Sequence, residues 1–131
     1  MARYATLLAD PARTYRSVDL ASRSAGGDPH RMVGLLYEEA VAALRAAAWG
    51  AENREYQVKS DKLTRAIAIL FALESNLDHS RGGDVASALS TFYRGLRQQI
   101  VNASIGNDPA PFRAAAESLL DIASAWESVR A

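Results

Sequence analysis

The chain has 131 residues, of which 15 are basic and 15 acidic, and it contains no cysteine. One domain of that length buries roughly two-thirds of the surface its unfolded form exposes, so a real core is possible without staples. Zero net charge argues against electrostatic capture of nucleic acid, and the lack of cysteine excludes disulfides, thiolate metal sites and a cysteine nucleophile.

A basic patch can still sit inside a neutral total, but the arginines are scattered from Arg3 to Arg130 and form no run. The opening stretch, MARYATLLADPARTYRS, has no apolar core of signal-peptide length, because Asp10 and Pro11 interrupt it. The longest apolar run, Ala66 to Leu73, falls well short of the roughly 20 residues that span a bilayer. The expectation is a soluble, cytoplasmic protein with no membrane insertion.

Residues 1–27 carry apolar side chains singly and end in Ser24-Ala25-Gly26-Gly27. They read as a flexible N-terminal arm, with 28–131 as the folded unit. A first helix is predicted from Asp28-Pro29, a favoured cap followed by a proline where its missing N–H costs nothing. Its stripe is Val33, Leu36, Tyr37, Ala40, Leu44 and Ala47, and Gly50 is its predicted stop. A second helix is predicted from near Asn53 to Gly82-Gly83, with the stripe Leu63, Ala66, Leu70, Leu73 and Leu77. A third is predicted from the cap Asp84, with Val85, Leu89, Phe92, Leu96, Ile100 and Ala103 on its inner face, closing at Gly106-Asn107. A fourth repeats the Asp-Pro opening at Asp108-Pro109 and carries Phe112, Ala115, Leu119, Ile122, Trp126 and Val129.

Four amphipathic helices with short connections favour an all-α, antiparallel up-down-up-down four-helix bundle. Trp126, Leu119, Leu96, Phe92, Leu70 and Leu36 are the expected core.

Residues able to do chemistry are sparse. The two histidines, His30 and His79, lack the Glu-x-x-His spacing of a di-iron bundle, so no metal or other cofactor is expected. In His79-Ser80-Arg81-Gly82-Gly83 the arginine comes too early for a phosphotransfer motif. On the predicted boundaries, His79 simply complements the end of the second helix. No Gly-x-Ser-x-Gly elbow or phosphate loop is present, so an enzyme is not expected.

The unusual feature is surplus apolar surface. Ala66 to Leu73 is apolar almost all round, and Met32, Leu35, Ala46 and Trp49 form a second line on the first helix. Tyr93 and Val101 add to the third helix. Two readings of this surplus stay open: a groove for a partner helix, or a wide core covered by the arm or by a second copy through self-association.

The order of these residues resembles that of a known family. Leu35-Leu36-Tyr37-Glu38-Glu39-Ala40 resembles the Leu-Tyr signature on the first helix of the flagellar secretion chaperones, the FliS family. The Gly82-Gly83 break, then Ala86, Leu89 and Phe92-Tyr93, is similar to that family's Leu-x-x-Leu-Tyr pattern. The stretch Ala103-Ser104-Ile105-Gly106-Asn107-Asp108 resembles its Asn-Asp turn, and Leu119-Leu120 with Trp126 completes a likeness over about residues 13–128.

The resemblance implies an export chaperone of the bacterial cytosol. Such a protein binds the disordered C-terminal segment of flagellin, blocks premature polymerisation and presents the complex to the flagellar export gate. It also implies an N-terminal arm that lies over part of the binding surface. The candidate partner-binding residues are Ile67, Leu70 and Phe71 on the second helix, Tyr93, Leu96 and Ile100 on the third, and Tyr15 and Val18 on the arm. A signalling or phosphotransfer bundle, or a structural oligomer, is the alternative.

Overall fold

A computed structural model describes residues 28–129. The predicted arm, with Tyr15 and Val18, lies outside the described residues. Four helices follow one another: α1 (Pro29–Glu52), α2 (Tyr56–Ser75), α3 (His79–Ala103) and α4 (Ala110–Ser128). No strand occurs among the described residues. α1 packs against α2 and α4, and α3 closes the ring by packing against the same two. The diagonal pairs make no backbone-level contact, which is the arrangement of an antiparallel four-helix bundle.

α1 begins where the sequence indicates. The Asp28 carboxylate accepts from the N–H groups of His30 and Arg31, and Pro29 opens the first turn. Gly50 does not end the helix, which runs on to Glu52. Its role is contact: a Cβ at Gly50 would stand 2.8 Å from the Lys59 nitrogen and 3.0 Å from the Glu55 carbonyl oxygen. The reversal is made by Arg54, with φ of 58°, and is closed by the Glu55 N–H donating to the Gly50 carbonyl.

The α2–α3 boundary also differs from the predicted one. α2 ends at Ser75, well before the glycine pair, and Asp78 caps α3 by accepting from Ser80 N and Arg81 N. His79 therefore begins a helix rather than ending one. Gly82-Gly83 does break the helical path, but within α3. Gly83 has φ 50° and ψ −122°, a conformation that L side chains rarely adopt, so residues 79–82 form a separate turn set at an angle to the long body of α3.

At the opposite end of the bundle, Lys59 reaches inward and holds the α3–α4 connection. Its ammonium donates to the carbonyls of Ser104 and Gly106 and to Asn107 Oδ1, at 2.8–3.0 Å. Burial pulls its pKa below the ordinary lysine value. These contacts satisfy carbonyls that the end of a helix leaves without partners.

The core is built on small residues. Ala40, Ala47, Ala66 and Ala115 are fully enclosed and let the helices approach closely, while Leu36, Leu44, Ile69, Leu70, Ile100, Phe112 and Leu119 fill the space between them. Each large apolar side chain buried this way stabilises by about 1.5–3 kcal/mol. Of the expected core set, Leu36, Leu70, Leu96 and Leu119 are buried. Phe92 and Trp126 are only partly buried against the core. The inner face of α3 is rotated from its predicted phase: Ala86, Ser90 and Tyr93 point inward, while Val85 is 67% exposed.

Candidate functional site

The end of the bundle where α1 begins is not filled. A cleft of about 350 Å³ opens there between the first turns of α1, the end of α2, the start of α3 and the end of α4. Met32 and Val33 come from α1, Leu73 and Leu77 from α2 and its exit, Val85 and Leu89 from α3, and Trp126 from α4. The charged or amide groups lining it, Asn76, Asp78 and Arg81, are exposed and so belong to its rim.

Local structure explains why the cleft stays open. The kink at Gly83 tilts the turn 79–82 away from the axis of α3, so this turn walls the cleft instead of closing the bundle. On the other side, the Trp126 indole stacks on His30, with centroids 4.5 Å apart and planes inclined by 13°. Trp126 Nε1 donates to the His30 carbonyl, and His30 Nε2 donates to the Trp126 carbonyl, each at 2.9 Å. This reciprocal pair fixes the end of α4 to the start of α1.

The innermost lining includes Tyr37 and Tyr93, each only 1% exposed, whose hydroxyls meet at 2.5 Å. Burial pushes both phenols above their ordinary pKa. The Tyr93 bond lowers Tyr37 somewhat, whereas the bond and charge of Tyr37 push Tyr93 higher still. Both phenols therefore keep their protons at neutral pH, and neither is an activated nucleophile. Among the described residues no three His, Asp or Glu groups cluster as metal ligands would, and no helix is long and apolar enough to cross a membrane. The arrangement can shelter apolar side chains; it has no activated group for catalysis.

The sequence-predicted binding residues separate in space. Leu70, Leu96 and Ile100 are enclosed in the core, and Tyr93 lies in the cleft floor. Ile67 is half-buried against the core and Phe71 is 46% exposed; neither lines the cleft. Phe71 instead sits on the α2–α3 seam, with the Arg97 guanidinium carbon 5.2 Å from its ring centroid. Missed as site residues were Met32, Val33, Leu73, Leu77, Val85, Leu89 and Trp126. Only Met32 stood out as apolar beyond one stripe; Val33, Leu73, Leu77, Val85, Leu89 and Trp126 fell on the predicted inner stripes and so read as core.

Comparison with known proteins agrees with this architecture. The family described as Flagellar protein FliS matches residues 11–131. The flagellar secretion chaperone FliS of Vibrio cholerae is 29% identical over 117 residues, covering 89% of this chain and 86% of that protein. The flagellar secretion chaperone FliSB of Pseudomonas aeruginosa is 26% identical over 117 residues, covering 89% and 93%. The FliS chaperone of Salmonella typhimurium is 28% identical over 118 residues, covering 89% and 87%. A family match over most of the chain, on a four-helix bundle with an open apolar end, establishes that this protein belongs to the FliS family of flagellar proteins.

Proposed function

We propose that this protein is a non-enzymatic, cytosolic chaperone of flagellar secretion that holds the C-terminal segment of flagellin, keeps it from polymerising and carries it to the flagellar export gate. The observation that carries this reading is the cleft: a mostly apolar space of about 350 Å³ with its charged and amide groups at the rim and the Tyr37 and Tyr93 hydroxyls satisfied by each other at its floor. A disordered segment that folds on binding loses chain entropy, so its receptor must offer apolar area rather than a few polar contacts. The cleft supplies the anchor, and the exposed Phe71 with its neighbour Ile67 extends the contact along α2. The relatives named as flagellar secretion chaperones support the chaperone role in flagellar secretion.

The arm is proposed to compete with the client. Tyr15 and Val18 lie 13 and 10 residues before Asp28, and α1 starts beside the cleft. An extended chain spans up to about 3.3–3.6 Å per residue, so both side chains are within reach of it. An arm that occupies the cleft part of the time lowers the apparent client affinity by the closed fraction.

Calorimetric titration with a flagellin C-terminal peptide tests the function. Binding with a negative heat-capacity change and a gain in peptide helicity is expected. Absence of binding, or binding without helix gain, contradicts it. Deleting residues 1–20 is expected to tighten binding or leave it unchanged.

A further inference from the structure

The first turn of α3 is built as a separate piece. Its hydrogen bonds converge on Asp78, whose Oδ1 accepts from Ser80 N at 3.1 Å, Ser80 Oγ at 2.7 Å and Arg81 N at 3.1 Å, and whose carbonyl accepts from Gly82 N at 2.7 Å. His79, Ser80 and Arg81 are exposed, so no large side chain anchors the turn in the core. The surface it presents to the fold, through Asp78, Arg81 and Gly82, is a wall of the cleft. A segment with so few buried contacts lies at the low end of local stability. Its junction with the rest of α3 adds two features. Gly83, at φ 50° and ψ −122°, joins turn and body through a residue with no side chain to oppose rotation. Directly after it stands Asp84, a favoured N-cap residue whose exposed carboxylate makes no hydrogen bond or ion pair among the described residues. One helix thus carries two N-caps, one engaged and one idle. Gly82 completes the arrangement: a Cβ there would stand 2.8 Å from Ala86 Cβ, so the turn seats tightly on a buried residue of the cleft wall.

We propose that residues 79–82 are a flap, hinged at Gly83, that gates the cleft: α3 is capped by Asp78 while the flap is down and by Asp84 when it lifts. The gating role rests on the reading of the cleft as the client site. Lifting gives up the bonds to Asp78, and the shortened helix that remains needs a cap for its first N–H groups. Asp84 stands at the position to supply one, so the lifted state loses less than an uncapped helix end would. Lifting also bares Ala86 beside Val85 and Leu89, which widens the apolar mouth for a segment bulkier than the closed cleft admits. When the flap returns, the occupant is walled in. The flap therefore sets the rates of entry and exit rather than the affinity.

Amide hydrogen exchange of the free full chain reads the opening of the flap at Ser80 and Arg81. Asp84→Ala removes the cap of the lifted state, so exchange at these amides is expected to slow about fivefold, the factor that one helix cap contributes. Asp84→Asn, which caps as well as aspartate does, is expected to exchange like the parent. Gly82→Ala, which unseats the closed flap, is expected to exchange faster. Stopped-flow tryptophan fluorescence with the flagellin C-terminal peptide, reported by Trp126 in the cleft, then reads the gate. Asp84→Ala should slow association and dissociation by a similar factor and leave Kd unchanged. Exchange in Asp84→Ala that is unchanged or faster, or that is matched by Asp84→Asn, overturns the inference, as does Gly82→Ala that exchanges no faster than the parent. Slowed exchange with both peptide rates unchanged also overturns it, and the chaperone reading survives each of these results. A parent that does not bind the peptide contradicts that reading and the gating role together.

Discussion

The hydroxyls of Tyr37 and Tyr93 meet at 2.5 Å, joining α1 to α3 across a diagonal where the two backbones make no contact. Each is the other's hydrogen-bond partner in an enclosed apolar setting, so removing one strands the other. Tyr37→Phe or Tyr93→Phe is expected to destabilise by roughly 1–3 kcal/mol, whereas the double replacement is expected to cost much less than the sum. Urea unfolding of the four proteins measures this; simple additivity would show that the hydroxyls act independently.

Lys59 is a single side chain holding a whole connection. Lys59→Met keeps the apolar stem but leaves the Ser104 and Gly106 carbonyls and Asn107 Oδ1 without their shared donor. A loss of roughly 1.5–3 kcal/mol is expected, the range for hydrogen bonds made by a charged group, since water reaches the exposed Gly106 and Asn107 acceptors once the ammonium is gone. Arginine should not rescue, since its planar fork does not fit three oxygens converging on one point. Thermal unfolding decides, and a loss under half a kcal/mol would contradict the assignment.

Two glycines give opposite expectations. Gly50→Ala places a methyl 2.8 Å from the α2 backbone and should destabilise by about 1–3 kcal/mol. Gly95 lies exposed in the body of α3 with nothing within 4 Å, and Gly95→Ala should stabilise by about 0.5–1 kcal/mol. Paired denaturation curves check both signs.

Glu74 gives a pH dependence. Burial pushes its carboxyl up, but hydrogen bonds from Arg94 and Ser90 and the charges of Arg97 and Arg94 outweigh this and hold its pKa below the ordinary value of 4.5. The folded form therefore binds this proton less readily than the unfolded chain. The resulting stability is present above about pH 4.5 and is lost as pH falls through the lower folded value. Glu74→Gln should be less stable than the parent at pH 7, by roughly 1–3 kcal/mol, with the gap closing in acid. A gap that is constant with pH would show that the loss is one of packing.

Where the fold was legible in the sequence, the signal was local. Asp28-Pro29 both caps and starts α1, and the 3- and 4-residue spacing of Leu36, Ala40, Leu44 and Ala47 places its inner face correctly. Where reading failed, the deciding term was tertiary. Asp78 and Asp84 are equally good caps, and only the path of the chain from α2 selects the first. Gly50 looks like a helix stop but serves a close backbone approach. Val85 outweighs Ala86 in apolar content, yet the small residue is buried and the large one is exposed at the cleft. The cleft depends on contacts such as His30 with Trp126, 96 residues apart, which no spacing rule reveals. Ile67 and Phe71 were legible as surplus because α2 is apolar beyond one stripe, while the same signal could not separate them from Leu70.

On the proposed function, the open end of the bundle receives the client. Amide hydrogen exchange of the full chain, with and without the flagellin C-terminal peptide, tests it most directly. The expected result is added protection in the first turns of α1, across 73–89 and at the end of α4, with the Lys59-held turn 104–107 unchanged. Protection confined to that turn, or spread evenly over the four helices, would contradict the account.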